Sequence, residues 1–241
     1  MQHTILSFPE IDSTNSYLKR EYNNLPDFTI VTADHQTAGR GRRGRVWEDS
    51  SASLPFSLLL KGEERENDTS LLPLLTGAAM SDALYELGIE NSIKWPNDIL
   101  IGDKKAVGIL LESVYETKRE ALIIGIGVNV SQKSFPGELK DKAISLYQAT
   151  GKQFDKKIVL DCFLRHFDCC YGMFLKGDDS FLDTVRERSY LTGKKLYLNY
   201  YGEDRHVEAL SIASDGSLIV RDGEKTYSLH SGEVTLEKNY H

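Results

Sequence analysis

The spacing of apolar residues changes at Gly193, and that change limits the architectures open to the chain. Beyond it, residues 195–201, 206–213, 217–220, 225–230 and 234–236 read as short strands. Gly202-Glu203-Asp204, Ser214-Asp215-Gly216 and Asp222-Gly223-Glu224 separate them. Asp-Gly turns between alternating runs mark tight hairpins. The pattern predicts a small β-barrel over residues 192–241, apart from a larger unit over residues 1–191. A unit of about 50 residues buries too little surface to stand alone, so it should lean on the larger one.

Upstream the chain mixes strands and helices. A short strand over 4–8 leads to Ser13, Thr14 and Asn15, capping residues that predict a helix start at Ser13 or Thr14. Capping alone accounts for all three; a helix start also offers free N–H groups and hydroxyls to a polar ligand. Residues 28–33 predict a central strand running into Asp34-His35-Gln36-Thr37-Ala38, and residues 53–60 a second strand. The acidic stretch 62–69 reads as a solvated connection. Residues 71–87 have helical spacing, with Leu75, Ala78, Ala79 and Ala83 on one face.

In residues 93–101, IKWPNDILI, Pro96 argues for a bend within a strand-like run. Asn97 and Asp98 suit a turn. Lys94 beside Trp95 is harder to read as a plain turn, since a buried lysine needs an anion. Two strands over 104–113 and 121–130 come next, and Gly125 and Gly127 in the second suggest close approach by a ligand or another backbone. Lys105 reads equally as an exposed strand lysine, and Asn129 as a strand-ending polar residue or a ligand contact. Residues 131–153 are polar and expected to be mobile. An amphipathic helix begins near Lys157, with Val159, Phe163, Phe167, Cys170 and Phe174 on one side. A further helical stretch covers 181–188.

The most concentrated positive charge lies at residues 39–47, GRGRRGRVW, in a chain whose formal net charge is -7. Arg40, Arg42, Arg43 and Arg45 stand among Gly39, Gly41 and Gly44, with Trp47 closing the run. Glycine lets backbone approach a ligand closely, and arginine offers a planar fork of donors to carboxylate and phosphate. The stretch reads as a disordered clamp that closes on a small acid and a phosphate. The spacing also fits GxGxxG, but residues 48–60 read as a polar turn and a strand, not the helix of a dinucleotide fold. With Val46 the run also fits the kinase glycine-loop pattern, but no VAIK, HRD or DFG follows. A nucleic-acid patch is disfavoured because the charge is local and the chain acidic.

Cys162, Cys169 and Cys170 fall in one helical segment without a CxxC pair or a histidine group suited to zinc. With no export signal and no apolar run of about 18 residues, the expected setting is the cytoplasm, with no membrane contact.

GRGRRGRVW, KWPNDI, Lys105-Ala106-Val107-Gly108-Ile109-Leu110 and Gly125-Ile126-Gly127-Val128-Asn129 occur in the order and spacing of the biotin–protein ligases, and the chain resembles that family from Asp12 onward. The resemblance implies an α+β fold related to class II aminoacyl-tRNA synthetases. A mixed sheet would be backed by helices, with a C-terminal barrel of the Src-homology-3 type. It also implies activation of biotin with MgATP to biotinyl-5′-AMP, then transfer to one lysine of a biotin carboxyl carrier domain. Ser13, Thr14, Asn15 and Gln36 would hold the ureido end of biotin, with Gly39 and Gly108 beside it. Arg40, Gly41 and Arg42 would fold over biotin and phosphate, and Lys105 would touch the carboxylate and α-phosphate. Trp47 and Asn129 would enclose the adenylate, with Arg42, Arg45, Lys94 and Asn97 on the nucleotide side. Asp98 would join Lys105, Arg40 and Arg42 as a catalytic group, and Mg²⁺ would come with ATP rather than sit in a dedicated metal site.

The motifs begin at once, so the resemblance implies a monofunctional ligase that does not bind DNA, a monomer or weak homodimer. Glu237 stands where some relatives carry a basic residue. A lipoate–protein ligase is the nearest rival, disfavoured by KWPND and the arginine loop. A non-catalytic biotin sensor is disfavoured by the intact Lys105.

Overall fold

Every second residue of a strand faces the same side of its sheet, so a strand apolar on both sides must be covered on both. Ser53–Leu60 is buried along its whole length, and the chain meets that demand with helices on the two faces of one large sheet. The computed structural model describes residues 1–48, 51–62, 69–115, 119–200, 203–230 and 235–236. Most of the acidic connection expected at 62–69, the turn at Gly202 and Glu237 lie outside the described residues.

The large sheet contains β1 (Thr4–Ile11), β2 (Thr29–Gln36), β3 (Ser53–Leu60), β4 (Ser92–Lys94), β5 (Asp98–Ile101), β6 (Lys104–Tyr115) and β7 (Arg119–Asn129). Their spatial order is β1-β2-β3-β7-β6-β5-β4. Only β1 and β2 run parallel; the other neighbours are antiparallel. This is the mixed sheet the resemblance implied. The strand expected to be central at residues 28–33 is instead second from one edge and extends to Gln36. Its apolar side chains are buried by helices on both faces, so apolarity did not require a central position.

Adjacent residues divide between two cores. Ile30, Leu58 and Ile124 join α2 (Leu72–Glu86) and α5 (Lys156–Phe174) on one face. Val31, Leu59 and Ile123 meet Leu18 and Tyr22, from and just beyond α1 (Thr14–Glu21), on the other. α1 begins where expected, with Ser13 as its N-cap. α2 departs from the one-sided expectation: it is buried nearly all round, because the sheet, α5 and α6 (Phe181–Glu187) enclose it. α5 carries an aromatic ladder in which Phe163 lies 5.2 Å from Phe56 and 5.6 Å from Phe167 between ring centroids. Residues 131–153 are more ordered than expected. α3 (Leu139–Lys142) and α4 (Leu146–Thr150) form there, the second closed by a reciprocal Ser145–Gln148 capping box.

The second sheet has the antiparallel order β11-β10-β9-β8-β12. Its strands are β8 (Lys195–Tyr200), β9 (Glu203–Ile212), β10 (Leu218–Asp222), β11 (Lys225–Leu229) and β12 (Thr235–Leu236). It fits a small Src-homology-3-type unit. Its inner residues Leu196, Val207, Leu218 and Val220 are continuous with the main core. Trp95 Nε1 donates to Gly216 O at 2.9 Å, and Arg186 Nε to Ile212 O at 2.9 Å.

The ladder gives a direct test of the main core. Phe163→Ala is expected to destabilise the chain by about 3–5 kcal/mol, the usual cost of emptying a fully buried aromatic site. A urea midpoint unchanged from wild type would show that α5 does not anchor this core.

Candidate active site

A trough crosses the α1 face of the large sheet because three positions there carry no side chain. Gly127 sits between Pro55 on β3 and Gly108 on β6, and Gly125 between Ser57 and Leu110. A Cβ on Gly125 would lie 2.2 Å from Asn15 Oδ1, and one on Gly127 would lie 2.5 Å from the Trp47 ring. One on Gly108 would meet Lys105 Cε at 2.8 Å and Trp47 Cζ3 at 2.9 Å. Real Cβ atoms do not come so close, so glycine lets Asn15 and Trp47 rest on the sheet, while the contact at Gly108 is partly with the flexible end of Lys105. The close approach expected at Gly125 and Gly127 is made by the chain's own side chains.

One end of the trough is uncharged. The start of α1 presents Ser13, Thr14 and Asn15, all buried. Thr14 N donates to Gln36 Oε1 at 2.9 Å. Ser57 Oγ lies 2.7 Å from Thr14 Oγ1 and 2.5 Å from Asn15 Oδ1. Capping and cleft lining therefore coincide: Ser13 caps the helix and, with Thr14 and Asn15, lines the cleft.

The other end is cationic. Residues 39–47, expected to be disordered, form a hairpin instead. Gly41 N donates to Arg45 O at 2.8 Å, Trp47 N to Gly39 O at 3.1 Å, and Arg42–Gly44 makes one 3₁₀ turn. These main-chain hydrogen bonds close the hairpin on itself. Arg40 Nη2 donates to Ser16 Oγ at 2.9 Å, and Arg42 Nη1 to Asn97 Oδ1 at 2.9 Å. Asn97 in turn donates from Nδ2 to Ile109 O at 2.6 Å. Lys105 Nζ is 2.6 Å from Asp98 Oδ1 and 5.7 Å from the centroid of the Trp47 ring.

Trp47, Arg42, Asn97 and Lys105 form a partition. On one side lies the trough with Ser13, Thr14, Asn15, Gln36, Arg40, Gly41 and Gly108. On the other is a second cleft lined by Arg45, Asp98, Asn129, Phe135, Leu139 and Lys142 among others. Asn129 Nδ2 donates to Lys105 O at 3.3 Å and so braces the strand that carries the lysine. Gly39 is set back beside Gln36 and Trp47. Lys94 is placed apart: it is half-buried on β4 in register with Asp98, lines neither cleft, and among the described residues makes no ion pair. The anion expected for it is thus not found, and half-burial leaves it enough water not to need one. Within the described residues no group of three His, Cys, Asp or Glu side chains could hold a metal unaided.

Several residues in or behind the two clefts carry no clear signal in the sequence. Pro55, Ser57 and Leu110 looked like ordinary strand residues. Phe135, Leu139 and Lys142 fell in a stretch read as a mobile connection. Glu112 gave a faint signal as the acidic residue ending an apolar run. It accepts from Asn15 Nδ2 at 2.8 Å and Lys19 Nζ at 2.6 Å, and lies 3.5 Å from Arg40 Nη2.

Burial opposes ionisation of Glu112, but hydrogen bonds from Lys19 and Asn15, with the charges of Lys19 and Arg40, outweigh it. Its carboxyl is held below the ordinary glutamate value of 4.5. The stabilisation is therefore complete above the unfolded-state value and disappears as pH falls through the lower folded value. Glu112→Gln should flatten that acid limb. Parallel wild-type and variant urea midpoints between pH 3 and 6 would refute it.

The family model for the biotin/lipoate A/B protein ligase family matches residues 7–129. The bifunctional ligase/repressor BirA of Bacillus subtilis is 38% identical over 226 residues, covering 89% of this chain and 68% of that protein. The biotin–[acetyl-CoA-carboxylase] ligase of Mycobacterium tuberculosis is 28% identical over 218 residues, 86% of this chain and 79% of that one. The solved biotin protein ligase of Aquifex aeolicus in complex with biotin and ATP is similar with a TM-score of 0.88 at 33% identity. That likeness covers 98% of this chain and 99% of that structure. The chain belongs to the biotin/lipoate A/B protein ligase family.

Proposed function

We propose that this chain is a biotin–protein ligase that makes biotinyl-5′-AMP from biotin and ATP. It would then pass the biotinyl group to a lysine of a biotin carboxyl carrier domain. The observation that carries the reading is the trough itself, lined by the neutral Thr14, Asn15 and Gln36 and by the cations Arg40, Arg42 and Lys105, and sharing Arg42, Trp47, Asn97 and Lys105 with a second cleft. Biotin has the same asymmetry, an uncharged ureido ring and an acid tail. The related ligase of Aquifex aeolicus holds biotin and ATP together.

In the first step a carboxylate oxygen of biotin attacks the α-phosphorus, the bond to the β-phosphate oxygen breaks, and pyrophosphate leaves. Two anions must be brought together, so positive charge fixed in advance lowers the barrier. Arg40, Arg42 and Lys105 supply it around the junction of the two clefts; Arg45 and Lys142 stand on the nucleotide side. Lys105 enters the reaction by leaving Asp98 for the carboxylate and α-phosphate. In the second step a neutral lysine amine attacks the acyl carbon, the acyl–phosphate bond breaks, AMP leaves and the amine gives up a proton. The arginine hairpin keeps water from the mixed anhydride meanwhile.

Ser13, Thr14, Asn15 and Gln36 are assigned to the ureido ring, and Trp47, Asn97 and Asn129 to the adenylate. Mg²⁺ fits as an ion arriving with the nucleotide. Asp98, whose Oδ1 is paired with Lys105 Nζ at 2.6 Å, is a carboxylate of the second cleft that would hold it once Lys105 turns to the substrate. Bound there, the ion would neutralise charge on the pyrophosphate. We assign residues 1–191 to the catalytic unit and 192–241 to the C-terminal unit. A monomer or weak homodimer working in the cytoplasm fits the reading; no described helix is long and apolar enough to cross a membrane.

Lys105→Ala is expected to raise the adenylation barrier by about 3–4 kcal/mol, the scale for losing one preorganised charge-stabilising group. Biotin-dependent ATP–pyrophosphate exchange measures it, and activity within a few-fold of wild type would refute the role. Incubation of a carrier domain with biotin and MgATP should add one biotinyl mass to one lysine. A preference for lipoate in either assay would move the chain to the other branch of its family.

A further inference from the structure

We propose that Glu112 is a specificity-determining positioning residue, one that sets the direction of the hydrogen bonds facing the ligand ring and ties that end of the trough to Arg40. The inference rests on the reading of the trough as the biotin site.

Glu112 sits on β6 two residues beyond Leu110, on the same face as the glycine floor. Its carboxylate is an acceptor only, so the Asn15 amide must turn its nitrogen toward Glu112 Oε2, 2.8 Å away. Asn15 Oδ1 is thereby aimed at Ser57 and the space above Gly125. Ser57 Oγ has one proton and two close neighbours, Asn15 Oδ1 at 2.5 Å and Thr14 Oγ1 at 2.7 Å. Since Asn15 Oδ1 cannot donate, the Ser57 proton goes there, while the Thr14 hydroxyl donates to Gln36 Oε1 at 3.1 Å. One carboxylate thus orders two polar side chains in series, Asn15 and Ser57, both buried. A neutral group in its place would accept either orientation of the Asn15 amide, and half of those arrangements would present the wrong atom to the ligand.

The same carboxylate reaches the other half of the site. Arg40 Nη2 lies 3.5 Å from Glu112 Oε2, the oxygen that accepts from Asn15, and Lys19 Nζ holds Oε1 at 2.6 Å. Lys19 supplies a second positive charge, so the carboxylate stays ionised when Arg40 shifts toward a ligand acid. Ring recognition and the position of the arginine hairpin therefore share one anchor.

Glu112→Gln keeps the shape and removes the acceptor-only character. It is expected to raise the KM for biotin in ATP–pyrophosphate exchange roughly tenfold or more, the effect of losing a hydrogen bond to a charged group. The KM for ATP should stay near that of wild type. In an Asn15→Ala background most of the biotin effect should vanish, because nothing remains for Glu112 to orient. Glu112→Asp, a methylene too short to hold Asn15 and Lys19 together, should raise the biotin KM as well and carries the test if the glutamine variant does not fold. An unmoved biotin KM in the variant that folds would overturn the assignment. So would equal effects with and without Asn15, or an equal rise for ATP, since those mark a general structural role. A wild-type protein without biotin-dependent exchange would overturn the reading of the site as well as this one.

Discussion

Close contact between side chains and a bare patch of backbone is the constraint on which the site depends. A sheet interior is normally covered by its own side chains, and a ligand can lie on it only where they are missing. Gly108, Gly125 and Gly127 stand in adjacent strands at neighbouring positions, so their absences merge into one trough. Asn15 and Trp47 then come down onto it from opposite ends, at distances that no Cβ would permit. Helix α1 and the arginine hairpin need that clearance to reach the floor at all.

The charges follow from the same layout. The glycines leave the middle of the floor bare, so most polar groups in the trough come in from its edges: Asn15 from a helix start, Arg40 and Arg42 from the hairpin, Lys105 from the start of β6. Each is held by a partner that leaves it in reach of the cleft. Asn97 holds Arg42, Asp98 holds Lys105, and Glu112 holds Arg40 and Asn15. Paired charges are far less costly to bury than single ones, and the pairs can be exchanged for a ligand's acid groups. An acidic chain can in this way keep a concentrated cationic site without unbalancing its surface.

The C-terminal sheet reaches this site through the bend at Trp95 and Pro96. The indole of Trp95, two residues before Asn97, donates to Gly216 O. Gly216 itself adopts φ +78 with a Cβ position only 2.8 Å from Leu71 Cδ2, so the turn fits tightly onto α2 and tolerates little else. The segment that carries Asn97 and Asp98 is thus gripped from outside the large sheet.

Much of this was legible in the sequence because it rests on local chemistry. Ser13 as a cap, the bend at Pro96, the Asp-Gly hairpins and the helix of Phe163 and Phe167 are decided by neighbours within a few residues. So were the glycines of β7 as points of close approach. What remained hidden needed partners far along the chain. Nothing near Lys94 shows that it stands outside the clefts while Lys105 lines both. Nothing near Ser57 or Glu112 shows that each meets Asn15, at separations of 42 and 97 residues. The order of the hairpin and of residues 131–153 also depended on main-chain bonds and caps that composition does not advertise. Local chemistry along the chain set which stretches became helix, strand or turn, because those choices are made over a few bonds. Which of them share a face of the sheet came from folding as a whole, because strand order and register place distant residues within hydrogen-bonding distance of one another.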